Sequence, residues 1–309
     1  MMTILNKLRA VLISFIAIAS LFFLVVNCSS TENISDEETI DPNGNNEEVA
    51  IYADINFSNW KITLPIDANN NGSPDEYQPS QLVNNGYRTL TQVKPFMYDD
   101  TTDASIVFYT YPAVSTANSS YSRTELRELI NPSNSKDNWT LAEGGVMTGK
   151  LKVQSISENS QSSSTYHNVI VMQIHGIISQ EDMNTHNFSS NNGPPLLKMY
   201  WKDGYLWAHK KSLLDESTEG DDLLDVSSST WYDIKHNFGY VGFEPFTFKI
   251  IATQGKLELQ LNNNPPFIYQ DVSLSKWPFE NYFKAGNYLV TTEPTAFSYI
   301  KYYNLNVTH

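Results

Sequence analysis

The sequence predicts an all-β fold: a jelly-roll β-sandwich of two stacked antiparallel sheets. Three observations lead there. Short segments rich in Tyr, Phe, Val and Thr recur along the chain, separated by Asn, Ser, Gly and Pro. Outside the N-terminus no apolar run keeps helical spacing, and no internal repeat occurs. The 309 residues, 13% aromatic and only 17% charged, suffice for one large β domain or two small ones.

Taken in order, the N-terminus reads as a targeting segment. Lys7 and Arg9 precede a largely apolar run from Ala10 to Val26, and Asn27-Cys28-Ser29-Ser30 follows. A basic start before an apolar stretch is the pattern of an export signal. The single cysteine of the chain stands directly after it, where no internal disulfide is available. The stretch resembles a bacterial lipoprotein signal over residues 1–27, with Cys28 as the lipidated first residue of the mature chain. Asn27 departs from the small residue usual at that place. An uncleaved membrane anchor is the competing reading, since the run is nearly long enough to span a bilayer. The segment from 28 to 53 is expected to be a disordered tether, because residues 29–50 hold seven Asp or Glu and no Lys or Arg. It carries half of the net charge of −14, so the overall charge does not point to a nucleic-acid partner.

The folded domain is expected over residues 54–309, opening with the strand WKITLP at 60–65. Further strands are expected at 105–110, 121–129, 145–157, 167–175, 196–201, 205–210, 231–240, 246–252, 256–261, 281–290 and 296–306. Between the first two, DANNNGSPDE (67–76) places Asp67, Asn69, Asn71, Gly72 and Asp75 like the start of a Ca²⁺ loop. Gln78 stands where such a loop supplies a bidentate Glu, and a plain Asn/Gly turn is the competing reading. Two long polar stretches, 176–195 and 211–230, are expected as loops.

Three strands carry unusual residues. In YSRTELREL, alternation puts Arg123, Glu125 and Arg127 on one face, and Thr124, Leu126 and Glu128 on the other. In VIVMQIHG, Gln173 and His175 share a face with Val171, while Met172 and Ile174 point away. In YFKAGNY, Tyr282, Lys284 and Tyr288 share a face. Each has an ordinary structural reading: a solvated charged face, a buried histidine, an aromatic strand with a snorkelling lysine. Together they supply cations, an amide, an imidazole and phenols to one concave sheet face. Such a surface suits an acidic sugar polymer, with Arg and Lys for carboxylates and Tyr for sugar rings.

The motifs RTELRE, QIH and YFKAGNY, with WKITLP near the domain start, resemble polysaccharide lyase family 7, the alginate lyases. The resemblance spans roughly residues 54–309. It implies a concanavalin A-like jelly roll whose concave groove cleaves alginate by β-elimination. By motif position it implies catalytic roles for Arg123, Gln173, His175 and Tyr288. Arg127, Lys284 and Asn287 fall on substrate-binding positions, and Glu125 and Tyr282 are grouped with them as neighbours on the same strand faces. Family members often continue with Asn and Gln after the tyrosine; here Leu289 and Val290 follow, a departure at the neighbouring subsite. Ile174 at the centre of QIH accompanies activity on guluronate-containing chains in the family. No cofactor is required by this chemistry. The partners expected are alginate and, through Cys28, a membrane; the chain is expected to act as a monomer, lipid-anchored to the bacterial outer membrane.

The reaction explains the residue types. The C5 proton of a uronate is poorly acidic while its carboxylate is charged, so donors such as Arg123 and Gln173, with His175 as a further candidate, must meet that carboxylate. Tyr288, beside fixed cations, is the candidate base and acid when proton and leaving oxygen lie on one side of the ring. Where they lie on opposite sides, as in guluronate, His175 is the better base. Two rivals differ in kind. A jelly-roll glycoside hydrolase needs two carboxylates across the bond, whereas Glu125 and Glu128 fall on opposite faces. A non-catalytic carbohydrate-binding module needs no proximity between His175 and Tyr288.

Overall fold

The computed structural model describes residues 51–309. The expected signal (1–27), Cys28 and all but the last three residues of the tether lie outside the described residues. The strands are β1 (Asp54–Ile55), β2 (Trp60–Thr63), β3 (Glu76–Tyr77), β4 (Met97–Asp100), β5 (Ser105–Thr110), β6 (Arg123–Glu128), β7 (Gly145–Ile156) and β8 (Asn168–Ile177). Then come β9 (Leu197–Lys202), β10 (Tyr205–Leu213), β11 (Trp231–Tyr240), β12 (Phe246–Thr253), β13 (Lys256–Leu261), β14 (Phe267–Gln270), β15 (Glu280–Val290) and β16 (Ser298–Thr308).

They form two sheets, as the alternation predicts. The front sheet runs β11-β10-β9-β8-β15-β6-β2-β3. The back sheet runs β14-β13-β12-β7-β16-β5-β4, with β1 added alongside β16. Every pairing is antiparallel except that of β1 with β16. Back-sheet strands such as β7 and β12 alternate buried and less buried residues, the mark of one face on the core and one toward water. In β6 and β8 nearly every residue is buried, whereas β15 keeps Tyr282, Tyr288 and Val290 partly exposed on its outward face. Inward side chains such as Leu126, Met172, Ile174, Phe283 and Ala285 meet Phe108, Met147, Ile300 and Tyr302 in one apolar core.

Two irregularities set which residues face outward. β15 loses register with β8 between Ala285 and Tyr288, and β8 loses register with β9 between Ile170 and Met172. These are β-bulges, and the one in β8 breaks the strict alternation assumed from sequence. Val171 therefore lies in the core rather than on the face of Gln173, and Ile170 takes the outward place. Gly286 at the bulge has φ +140°, and a Cβ there would lie 2.7 Å from the Thr124 carbonyl oxygen. Its N–H donates to Tyr302 Oη (3.1 Å), and that hydroxyl donates to the Val171 carbonyl. Tyr302, from the back sheet, thus satisfies backbone groups of two bulged strands at once.

Some loop expectations need correcting. The stretch 176–195 begins as the end of β8 and contains a helix, Gln180–His186, capped by Ser179. The stretch 211–230 begins as the end of β10. In the 67–76 loop, Asp67 accepts the N–H groups of Asn71 and Gly72, and Asp75 accepts that of Ala68. Asn69 and Asn71 close Asx-turns within it, each Oδ1 accepting the N–H two residues on.

Replacing Gly286 by Ala is expected to destabilise the domain by about 2 kcal/mol, since the new methyl meets the β6 backbone at Thr124 and Glu125 and the φ of +140° disfavours a side chain. Thermal unfolding of the variant should show Tm lower by roughly 6 °C for a domain of this size. An unchanged Tm would mean that the bulge tolerates a side chain.

Candidate active site

The registers of three adjacent front strands assemble the site. Lys284 on β15 lies opposite Arg127 on β6 and Gln173 on β8; Tyr282 lies opposite His175, and Tyr288 opposite Arg123. Directly opposed residues share a face, so seven polar side chains converge although they come from three distant segments. They line a cavity of about 470 Å³ on the outer face of the sheet.

Beneath them sits Glu125, only 1% exposed. Its carboxylate accepts from Gln173 Nε2 (2.5 Å) and from Lys284 Nζ, and it pairs with an Arg123 guanidinium N–H at 3.2 Å. The Lys284 and Arg123 charges hold its carboxyl below the usual range against the opposing effect of burial. Glu125 does not line the cavity, which corrects its grouping with the substrate contacts. A polyanion would have no use for a carboxylate there; its physical role is to neutralise buried cations. Burial, with Arg123 and Arg127 nearby, lowers the Lys284 ammonium to about 8 despite Glu125, so it still carries charge near neutrality.

The aromatic residues fix the cations in place. The Arg123 guanidinium lies 3.8 Å from the Tyr288 ring centre, and that of Arg127 lies 4.1 Å from the Tyr282 ring centre. Arg127 also donates to the Ser135 carbonyl and to Asn138 Oδ1. One donor on each arginine, Arg123 Nε and an Arg127 terminal N–H, is enclosed without a protein partner. Tyr288 Oη is 2.6 Å from Ser119 Oγ.

His175 stacks on Tyr282 with ring centres 5.3 Å apart. Its Nδ1 is 2.8 Å from the Gly176 carbonyl, which can only accept, so Nδ1 carries the hydrogen. Burial, then the Lys284 charge, depresses the imidazole to about 3. The ring is neutral at ordinary pH, with the Nε2 lone pair unprotonated and available as a base. Burial raises the Tyr282 phenol, so it remains a neutral wall.

Asn287 is not in the cavity. It is wholly buried; its amide donates to the Phe108 and Ser298 carbonyls and its Oδ1 accepts from Ser298 Oγ. Alternation along β15 turns it inward between Gly286 and Tyr288, where it ties the front sheet to the back. Ile174 is likewise inward and wholly buried. Of the two residues after Tyr288, Leu289 belongs to the core and only Val290 reaches the cavity. Glu128 lies on the inner side, accepting from the Phe283 N–H, Trp139 Nε1 and His309, so it forms no carboxylate pair across the groove.

Sequence reasoning missed part of the wall. Tyr121 and Asn118 come from the loop before β6, Lys198 and Tyr200 from β9, and Asn192 from the stretch before β9. Asn118 and Asn192 sit in Ser/Asn/Thr-rich sequence with no periodicity, whereas Tyr121 opens YSRTELREL two residues before Arg123, where alternation places it on the same face. Lys198 and Tyr200 carry a signal in the alternation of LKMYWK, which puts Lys198, Tyr200 and Lys202 on one face of the expected strand 196–201 and its next residue.

A family model described as "Alginate lyase" matches residues 55–309. A curated relative from Klebsiella pneumoniae, also described as an alginate lyase, is 25% identical over 295 residues, covering 82% of this chain and 89% of the relative. Among solved structures, alginate lyase A1-II′, described as a member of polysaccharide lyase family 7, aligns with TM-score 0.62 at 29% identity, over 82% of this chain and 96% of that one. A form of A1-II′ with His→Asn and Tyr→Phe substitutions, in complex with a substrate written GGMG, aligns with TM-score 0.60 at 28% identity, over 82% and 93%.

Replacing Glu125 by Gln is expected to destabilise the fold by about 3 kcal/mol at neutral pH, because two buried cations lose their counterion. Glu125 has a depressed folded pKa, so its contribution is present above the unfolded value of about 4.3 and is lost as pH falls through the folded one. Denaturant unfolding of both proteins should therefore show a gap that closes in acid; a gap that widens there would contradict the buried-counterion role.

Proposed function

The chain belongs to the alginate lyases of polysaccharide lyase family 7, and from that premise we propose how its residues carry out the cleavage. The reaction assigned is β-elimination at the 4-O-glycosidic bond. The C5–H bond breaks and its electron pair becomes the C4=C5 double bond. The C4–O bond breaks, and the departing oxygen takes a proton. The new non-reducing end is an unsaturated uronate.

The observation that carries this reading is a neutral imidazole with a free Nε2 in the same cavity as the Tyr288 phenol and the cations of Arg123, Arg127 and Lys284. In the scheme, Arg123 and the second N–H of the Gln173 amide receive the substrate carboxylate, whose negative charge grows as C5 loses its proton. Lys284, Arg127 and Tyr282 bind neighbouring parts of the chain. The positive charge comes from the protein itself, so the scheme calls for no metal. Tyr288 delivers a proton to the leaving oxygen. For mannuronate it also removes the C5 proton, both groups being on one side of the ring. For guluronate they lie on opposite sides, and His175 takes the proton through Nε2 while Tyr288 serves as acid. We assign a preference for guluronate-containing chains, supported by the base-ready tautomer of His175 and by Ile174 at the centre of QIH.

The export signal and Cys28 support a lipid-anchored enzyme at the bacterial outer membrane, with the acidic segment as its tether and a single chain as the working unit. That part of the proposal rests on sequence alone.

Incubation with alginate should raise ultraviolet absorbance as conjugated double bonds form; a hydrolase product would lack them, and a binding module would yield no product. Tyr288→Phe is expected to lower kcat by about 10³-fold or more with the fold intact by circular dichroism. Retention of most of the rate would remove Tyr288 from the mechanism. His175→Asn should lose more rate on polyguluronate than on polymannuronate, and equal losses would count against a separate base.

A further inference from the structure

The outward face of the front sheet continues past the cavity onto β9, β10 and β11, and its chemistry there is unlike the rest of this acidic chain. Cross-strand registers define the face. Tyr200, which lines the cavity, lies opposite Trp207, which lies opposite Asn237. Lys198 lies opposite His209 and then Lys235; Lys202 lies opposite Tyr205 and then Tyr240; Lys211 lies opposite Asp233. Four lysines thus share this face with one carboxylate.

That carboxylate is already spoken for. Asp233 is 2.8 Å from Lys211 Nζ, 3.6 Å from Lys198 Nζ and 3.7 Å from His209 Nδ1. Lys202 donates to His209 Nε2 at 3.3 Å, and neither Lys202 nor Lys235 pairs with a carboxylate among the described residues. Burial and the like charges of Lys235 and Lys198 lower the Lys202 ammonium, so the cluster repels itself in the empty protein. Aromatic rings stand among the cations: the Lys202 ammonium is 4.6 Å from the Tyr200 ring centre, and the exposed rings of Tyr205 and Tyr240 meet edge-on at 5.2 Å. Adjacent strands lie about 4.8 Å apart, so β11 is roughly 19 Å from β15 across the sheet, more than one sugar ring away.

We propose that this face is a distal binding platform for an acidic polysaccharide, on which Lys202 and Lys235 receive uronate carboxylates several units from the bond that breaks. Tyr200 and Trp207 carry the sugar faces between the reaction centre and the lysines. The identity of the occupant rests on the lyase reading; the placement of the platform rests on charge and register. The platform makes affinity depend on chain length, because a short oligosaccharide seated in the cavity does not reach it. Its contribution also falls with added salt, as exposed ammonium–carboxylate contacts are screened.

The test compares the binding of a long alginate chain and of a uronate trisaccharide, measured by calorimetry in a Tyr288→Phe background. Adding Lys202→Ala and Lys235→Ala should lower the long-chain affinity relative to the trisaccharide by roughly fivefold at low salt. The loss should shrink at high salt, and Lys202→Arg with Lys235→Arg should restore it. A ratio that stays the same, or equal losses for both ligands, would overturn the platform. The lyase reading has its own readout: wild-type protein that forms no unsaturated product from alginate would sink that reading, while the length-dependent binding would still be decided by the lysine variants.

Discussion

The site depends on one buried ion cluster. Glu125 places a negative charge inside the front sheet, and Lys284, Arg123 and the Gln173 amide close around it. Without that charge, two cations packed at the centre of a sheet would be costly to desolvate together. With it, their remaining donors point outward in fixed positions. The arrangement separates structural neutralisation below from recognition above, on side chains one strand apart. Rigidity matters here, because a fixed cation helps a developing charge more than one that must first move.

A second consequence of the cluster concerns His175. The same cations that would welcome a carboxylate disfavour a proton on the neighbouring imidazole, and burial acts in the same direction. The Gly176 carbonyl then settles which nitrogen keeps its hydrogen. A group able to accept a proton and a surface able to hold an anion therefore arise from one electrostatic field. Lys61, Arg123, Arg127, Lys198 and Lys284 line this one cavity, so a chain of net charge −14 presents local positive charge there.

Much of this was legible in the sequence, and the gaps have physical causes. Twelve strands could be placed from alternation and turn residues, but β1, β3, β4 and β14 could not; each spans four residues or fewer, too short for a period to register. Alternation put Arg123, Arg127, Tyr282, Lys284 and Tyr288 on the outward face, and Gln173 with His175, where the structure has them. It misplaced Val171, because a bulge inserts a residue that no pattern of apolar positions reveals. Alternation also implied that Asn287 points inward; its place in the family motif suggested otherwise, and the structure sides with alternation. Glu125 was visible between two arginines, but whether it met ligand or neutralised the floor depended on Lys284, 159 residues later, which only the pairing of β15 with β6 brings near.

The hydroxyl of Tyr302 reaches across the sandwich to bridge the two bulged strands. The spacing of the reactive groups is therefore a joint property of both layers. Grafting the YFKAGNY segment into a related scaffold would transplant the working side chains without their rear support. Exchange of such segments between homologues would succeed only when the matching tyrosine of the opposite layer travels with them, which makes the two stretches a single inheritable unit.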